Sequence, residues 1–169
     1  PIASVAVSPD GELVAVAGRA PSTGDAIIRV FSQGGTGPGV TVYSSTAAHT
    51  DLQKLQFSPD GAWVAFISDE LTNGNNTLYV VPADGSAAAK RVAPASGNFS
   101  NDVSFYAWSP DTSTAARYIV FGGDPVTDED NGLWVVEVTD ANPSWTAVHD
   151  EDVMTEGGGV AFDAQHRFY

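Results

Sequence analysis

Twenty-one carboxylates stand against seven Lys and Arg in this 169-residue chain, for a formal charge of −14. Any chemistry therefore starts from oxygen ligands and acids. They are densest in the run Gly122 to Gly132, which carries Asp124, Asp128, Glu129 and Asp130. Hard oxygen ligands close together are what calcium requires, so Asp124, Asp128 and Asp130 are candidate calcium ligands. The spacing departs from the D-x-[DN]-x-[DN]-G order, and the distal Glu is missing. Carboxylate pairs could also cleave glycosides, provided two of them faced each other across a sugar-sized cleft. Nucleophilic chemistry finds less support, because no G-x-S-x-G elbow occurs. With no Cys there is neither a disulfide framework nor a Cys-based zinc site. The Gly-rich runs at 34–39 and 157–159 have neither the Lys-Ser/Thr of a phosphate loop nor the dinucleotide pattern.

The elements that must position these residues announce themselves by repetition. Ser-Pro-Asp occurs at Ser8, Ser58 and Ser109, each time after a short apolar run, at intervals of 50 and 51 residues. A period of this length marks a solenoid, propeller or array. The second repeat divides into four short runs: 52–57, 62–67, 77–81 and 88–92. All are rich in β-branched, aromatic and Ala residues, and turn residues separate them, as in strands joined by hairpins. In Ser58-Pro59-Asp60-Gly61, Pro59 supplies the φ of position i+1 of a type I turn, and Gly61 tolerates a left-handed backbone. Pro82 to Gly85 plays the same part between the third and fourth runs. Repeat one follows the same order at 3–7, 13–17, 26–31 and 40–43, and repeat three at 104–108, 118–121, 133–138 and 144–148. In repeat three, Thr112 replaces the Gly and Ser113 to Ala116 lengthen the turn. Val160-Ala161-Phe162 opens a fourth repeat. The second and third strands of each repeat are apolar at nearly every position, which predicts burial on both faces. Lys90 and Arg91 suit a fourth, outer strand facing water.

Four antiparallel strands per repeat is the blade of a β-propeller. The string FSPDGAWVAFISD followed by LYVVPADG resembles the WD-like repeat of TolB-type propellers. Related blades occur in the propeller domains of prolyl-oligopeptidase-type peptidases. The resemblance extends over the whole chain as one domain, 1–169. Blade 1 spans about 1–48, blade 2 about 49–99, blade 3 about 100–152, and a fourth begins at about 153–169. Propellers typically have about 4–8 blades. The expectation is therefore an all-β propeller fragment, completed by the remaining blades of a longer chain or by another copy. By the same resemblance His49 and His149, each in the loop entering a blade, would brace it by hydrogen bonding rather than act in catalysis. The serines of the repeated motif are turn residues, and the strand aromatics pack between blades, with Trp145 on an outer strand the best exception.

In such blades the loops between strands two and three share an end with the loops leading to the next blade. Sorting by loop places Asp25, Asp51, Asp69, Glu70, Asp102, Asp124, Asp128, Glu129, Asp130, Asp150, Glu151, Asp152 and Glu156 on one face, with Arg19 the sole base. Of these, Asp69, Glu70, Asp128, Glu129, Asp130, Asp150, Glu151 and Asp152 are candidate contacts for a basic protein partner. The charge carries no basic footprint for nucleic acid, and no long apolar run predicts a membrane helix. Resemblance to TolB-like propellers implies protein–protein interaction, typically at the envelope, hence an extracytoplasmic site: periplasm, cell surface or secreted. The reading is a non-enzymatic binding or scaffold module without a cofactor other than calcium. The alternatives are the gating propeller of a prolyl-oligopeptidase-type serine peptidase and a glycan-active propeller enzyme.

Overall fold

The computed structural model describes residues 1–48, 50–71, 73–92, 103–110, 117–123 and 132–138, and the backbone of 144–149. The described residues hold twelve strands in three four-stranded antiparallel sheets, each in sequential order. The first sheet comprises β1 (Ile2–Val7), β2 (Leu13–Arg19), β3 (Ala26–Ser32) and β4 (Val40–Ser45). The second comprises β5 (Leu52–Phe57), β6 (Trp63–Ser68), β7 (Thr77–Pro82) and β8 (Lys90–Arg91). The third comprises β9 (Val103–Trp108), β10 (Arg117–Gly123), β11 (Gly132–Val138) and β12 (Ser144–His149). Each sheet is one repeat. The expected strand 88–92 shrinks to Lys90–Arg91, paired only with Val80 and Tyr79. The segment expected to open a fourth repeat lies outside the described residues.

The Ser-Pro-Asp-Gly motif folds as its chemistry dictates. Gly61 N–H donates to the Ser58 carbonyl at 2.8 Å, closing the turn, and Gly61 takes φ +72°, which costs glycine nothing. The Ser58 hydroxyl donates to Asp60 Oδ1 at 2.6 Å and accepts from Trp63 N–H at 2.9 Å. Asp60 Oδ1 also accepts from Ala62 N–H at 3.1 Å. Ser8 repeats this with Asp10 at 2.6 Å and Leu13 N–H at 2.8 Å. In the third sheet Ser109 N–H still reaches the Tyr118 carbonyl at 2.8 Å, while 111–116 lie outside the described residues.

The chain forms two compact units, 1–74 with 78–91, and 75–77 with 92–169. In the first unit, sheets one and two stack face to face. Ala15, Ala17, Ala26, Ile28 and Val30 of sheet one form one core with Val64, Phe66, Tyr79 and Val81 of sheet two. The Phe66 ring lies 4.8 Å from Tyr43 and 5.4 Å from Tyr79. All six positions of β6 and of β7 are buried, so expected burial on both faces is the observed state. Both first strands bulge, at neighbouring repeat positions: the register of β1 shifts between Ile2 and Ser4, and that of β5 between Gln53 and Gln56. There Lys54 takes φ +52°, and Leu55 N–H reaches across to Ser4 Oγ at 3.3 Å. In the second unit β10 and β11 keep continuous register from Arg117↔Val138 to Gly123↔Gly132. Ile119, Val120 and Phe121 are all at or below 1% exposure.

Candidate functional site

Antiparallel connection sends the β2–β3 loop, the β4–β5 connection and the β6–β7 loop of the first unit to one end, opposite the Ser-Pro-Asp turns. Arg19, Asp25, Thr50, Asp51, Asp69 and Glu70 collect there. Arg19 closes β2 and donates to three carbonyls: Gly24 at 3.1 Å, Ala48 at 3.2 Å and Thr50 at 2.9 Å. It also lies 3.8 Å from the carboxylate of Asp51, which is 70% exposed. One guanidinium thus ties a loop of blade 1 to the connection entering blade 2.

Asp69, at the same repeat position as Arg19, is 5% exposed. Its Oδ1 accepts from Asp51 N–H at 2.7 Å and its Oδ2 from Gly74 N–H at 3.2 Å. This carboxylate is turned inward onto backbone, so of the expected partner contacts Asp69 serves the scaffold's geometry. Buried Thr50 completes the brace, with Oγ1 3.2 Å from Ser45 Oγ. Arg19, Ala26, Thr50, Asp51 and Leu52 border a cleft of about 130 Å³. Asp25 holds Thr23 Oγ1 at 2.6 Å.

Glu70 lies near two buried phenols. Burial, then the neighbouring Glu70 carboxylate, pushes the Tyr43 hydroxyl well above its ordinary range. The same two causes push Tyr79 up to about 12, with Arg91 pulling the other way. The Tyr79 hydroxyl has no hydrogen-bonding partner among the described residues.

Within the first unit the acids fall where loop sorting places them, Asp25, Asp51, Asp69 and Glu70 at this end and Asp10, Glu12, Asp60 and Asp84 at the other. With four at each end, the imbalance of charge runs along the chain. Residues 1–92 hold 8 acids and 5 bases, whereas 93–169 hold 13 acids and 2 bases. Asp124, Asp128, Glu129, Asp130, Asp150, Glu151 and Asp152 lie outside the described residues. Their anchor points do not. Gly123 pairs with Gly132 at the mouth of the 124–131 loop, and Leu133 pairs with His149 at the same end of the sheet. Both acid-rich segments therefore depart from one end of blade 3. The candidate calcium loop is one of them. Among the described residues no group of three or more His, Cys, Asp or Glu could hold a metal. His49 and the side chain of His149 are likewise undescribed.

No family model matches the chain, and no curated protein matches it. Among solved structures it is similar to apo prolyl oligopeptidase B from Galerina marginata, with TM-score 0.62 and 13% identity over 94% of this chain and 22% of that one. It is also similar to a structure described as TolB from Agrobacterium tumefaciens, with TM-score 0.49 and 21% identity over 89% of this chain and 50% of that one. A third is Kuenenia stuttgartiensis hydrazine synthase, with TM-score 0.49 and 15% identity over 79% and 39%. The chain spans half the length or less of each. The first likeness shows the fold: blades of an all-β propeller, as the repeat predicts.

Proposed function

We propose that this chain is a non-enzymatic β-propeller module that binds a basic protein partner through acidic loops carried by blade 3, outside the cytoplasm. One observation carries the reading. The segments 124–131 and 150–152 spring from the same end of one sheet, at Gly123↔Gly132 and Leu133↔His149, and together they hold seven carboxylates. Like charges in segments that leave one end of a sheet sum into a field that selects cationic partners and speeds their approach. Arg19 and Asp69 support a scaffold role, since both spend their charge on holding loop backbone.

The test compares two triple variants in titrations with oligolysine at several salt concentrations. Asp128→Asn, Glu129→Gln and Asp130→Asn together should weaken binding by about tenfold or more and flatten its salt dependence. Asp10→Asn, Glu12→Gln and Asp84→Asn together, at the far end of blades 1 and 2, should leave both unchanged. Equal effects from the two triples, or none from the first, would sink the assignment.

A further inference from the structure

Asp or Asn stands directly before Gly at five places: Asp10-Gly11, Asp60-Gly61, Asn73-Gly74, Asp84-Gly85 and Asn131-Gly132. In such pairs the Gly nitrogen can attack the preceding side-chain carbonyl and close a five-membered ring, since glycine has no side chain to hinder the approach. The three Asp-Gly pairs are built against this. Gly11, Gly61 and Gly85 each donate N–H to the carbonyl three residues back, of Ser8 at 2.9 Å, Ser58 at 2.8 Å and Pro82 at 3.1 Å. Their carboxylates turn forward, Oδ1 of Asp10, Asp60 and Asp84 accepting from the N–H of Glu12, Ala62 and Ser86 at 3.0, 3.1 and 2.9 Å. The attacking nitrogen is thus tied to an amide carbonyl, a poor acceptor of its proton, and the carboxylate is held by the next amide. Asn131 lies outside the described residues.

Asn73-Gly74 is wired differently. Both residues are exposed in the β6–β7 loop. Gly74 takes φ +86°, with nothing within 4 Å of the place a Cβ would occupy. Its N–H points at a carboxylate, Asp69 Oδ2, 3.2 Å away. Asp69 is 5% exposed and is fixed through its other oxygen, which accepts from Asp51 N–H at 2.7 Å. The bond that braces the loop thus aims a base at its nitrogen. We propose that Asn73 is a site of self-modification, with Asp69 the general base that closes Asn73 onto Gly74. A carboxylate held within hydrogen-bond reach of the proton to be removed is the geometry this catalysis requires. As Gly74 N bonds to Asn73 Cγ, its proton passes to Asp69 Oδ2. The tetrahedral carbon then expels the amide nitrogen, which takes that proton and leaves as ammonia. A succinimide spanning residues 73 and 74 remains, and water opens it to aspartate or isoaspartate. Asp69 is regenerated. The product carries one further negative charge, and isoaspartate lengthens the backbone path between residues 73 and 74. Gly74 N–H is thereby drawn off Asp69, which loosens the tie between this loop and the connection into blade 2. The acid-rich segments of blade 3 take no part in this chemistry.

The experiment incubates the full chain at neutral pH beside a synthetic peptide of residues 70–77, which contains Asn73-Gly74 and lacks Asp69. Peptide mapping by mass spectrometry reads the amide-to-acid mass change and the isoaspartate at each site. Modification of Asn73 should be at least about tenfold faster in the folded chain than in the peptide, as a positioned base provides. Unfolding the chain in urea should bring its rate down to that of the peptide. Asp69→Asn in the folded chain should likewise remove the gain, while Glu12→Gln, at the other end of blade 1, should leave it. A folded-chain rate at or below that of the peptide overturns the proposal, whatever the variants do. So does a gain that survives Asp69→Asn, or isoaspartate forming at Asp60 as fast as at Asn73.

Discussion

At the residue scale, side chains that could have done chemistry are spent on geometry. Ser58 has the reach of a nucleophile's hydroxyl but accepts from one backbone N–H and donates to Asp60 within its own turn. Asp69 is bound to two backbone amides. Tyr79 differs from them, with a buried hydroxyl that bonds to nothing among the described residues. An unmatched hydroxyl loses its hydration without recompense, so its removal is tolerated. Tyr79→Phe should hold stability near pH 7 within about 1 kcal/mol or raise it. Its second effect depends on pH. Burial and Glu70 raise the folded-state value from 10.0 to about 12, so the neutral phenol favours the folded state. That contribution is whole below pH 10 and is lost as pH climbs from about 10 to about 12. Tyr79→Phe should therefore lose less stability than the parent chain over that range. Urea midpoints at neutral and alkaline pH measure both effects. An alkaline slope unchanged by the substitution would refute the assignment.

At the element scale, the repeat was legible because turn chemistry is local. Ser-Pro-Asp-Gly specifies its hairpin through bonds within six residues, so the sequence alone locates each β1–β2 and β5–β6 turn. Strands β6 and β7 were legible because continuous apolar runs demand cover on both faces. The difference between Val14 and Val64 was not legible. Both are Val, at the same repeat position, between similar neighbours, and only the stacked sheet distinguishes them. Their substitution energies should separate accordingly. Val64→Asp places an unpaired charge in the core shared by sheets one and two, which should cost about 3 kcal/mol or more. Val14→Asp stays near water and should cost less than about 1.5 kcal/mol in the same urea unfolding experiment. Equal costs would mean that blade 1's outer face is already covered in solution. The end at which each acid of the first unit stands was legible, because loop sorting needs only strand order: Asp25, Asp51, Asp69 and Glu70 stand opposite Asp10, Glu12, Asp60 and Asp84.

At the scale of the whole molecule, the charge is large and its distribution along the chain is uneven. Thirteen of 21 acids and only 2 of 7 bases fall in residues 93–169. A field of one sign opposes compaction, and salt screens it over a Debye length of about 10 Å at 0.1 M. The chain should therefore melt at higher temperature as NaCl rises, opposite to a protein held by exposed ion pairs. The ion pair of Arg19 with Asp51, at 3.8 Å, is too long and too exposed to reverse that sign. Between about 0.02 M and 0.5 M NaCl a gain of several degrees in Tm is expected for a chain of this length. Neutralising Asp128, Glu129 and Asp130 should raise Tm at low salt and shrink the gain, because the repulsion is concentrated where those residues lie. The same number of neutralisations at Asp10, Glu12 and Asp84 should act differently. Asp10 and Asp84 are held below the usual carboxylate range by bonds to Ser8 and Ser86 respectively. Their ionised forms favour the fold above pH 3.8 and lose that contribution as pH falls. Removing those charges relieves little repulsion and weakens two turns. A salt response that both triples reduce alike would show a uniform field, and the chain's charge would then be a matter of solubility rather than of a directed surface.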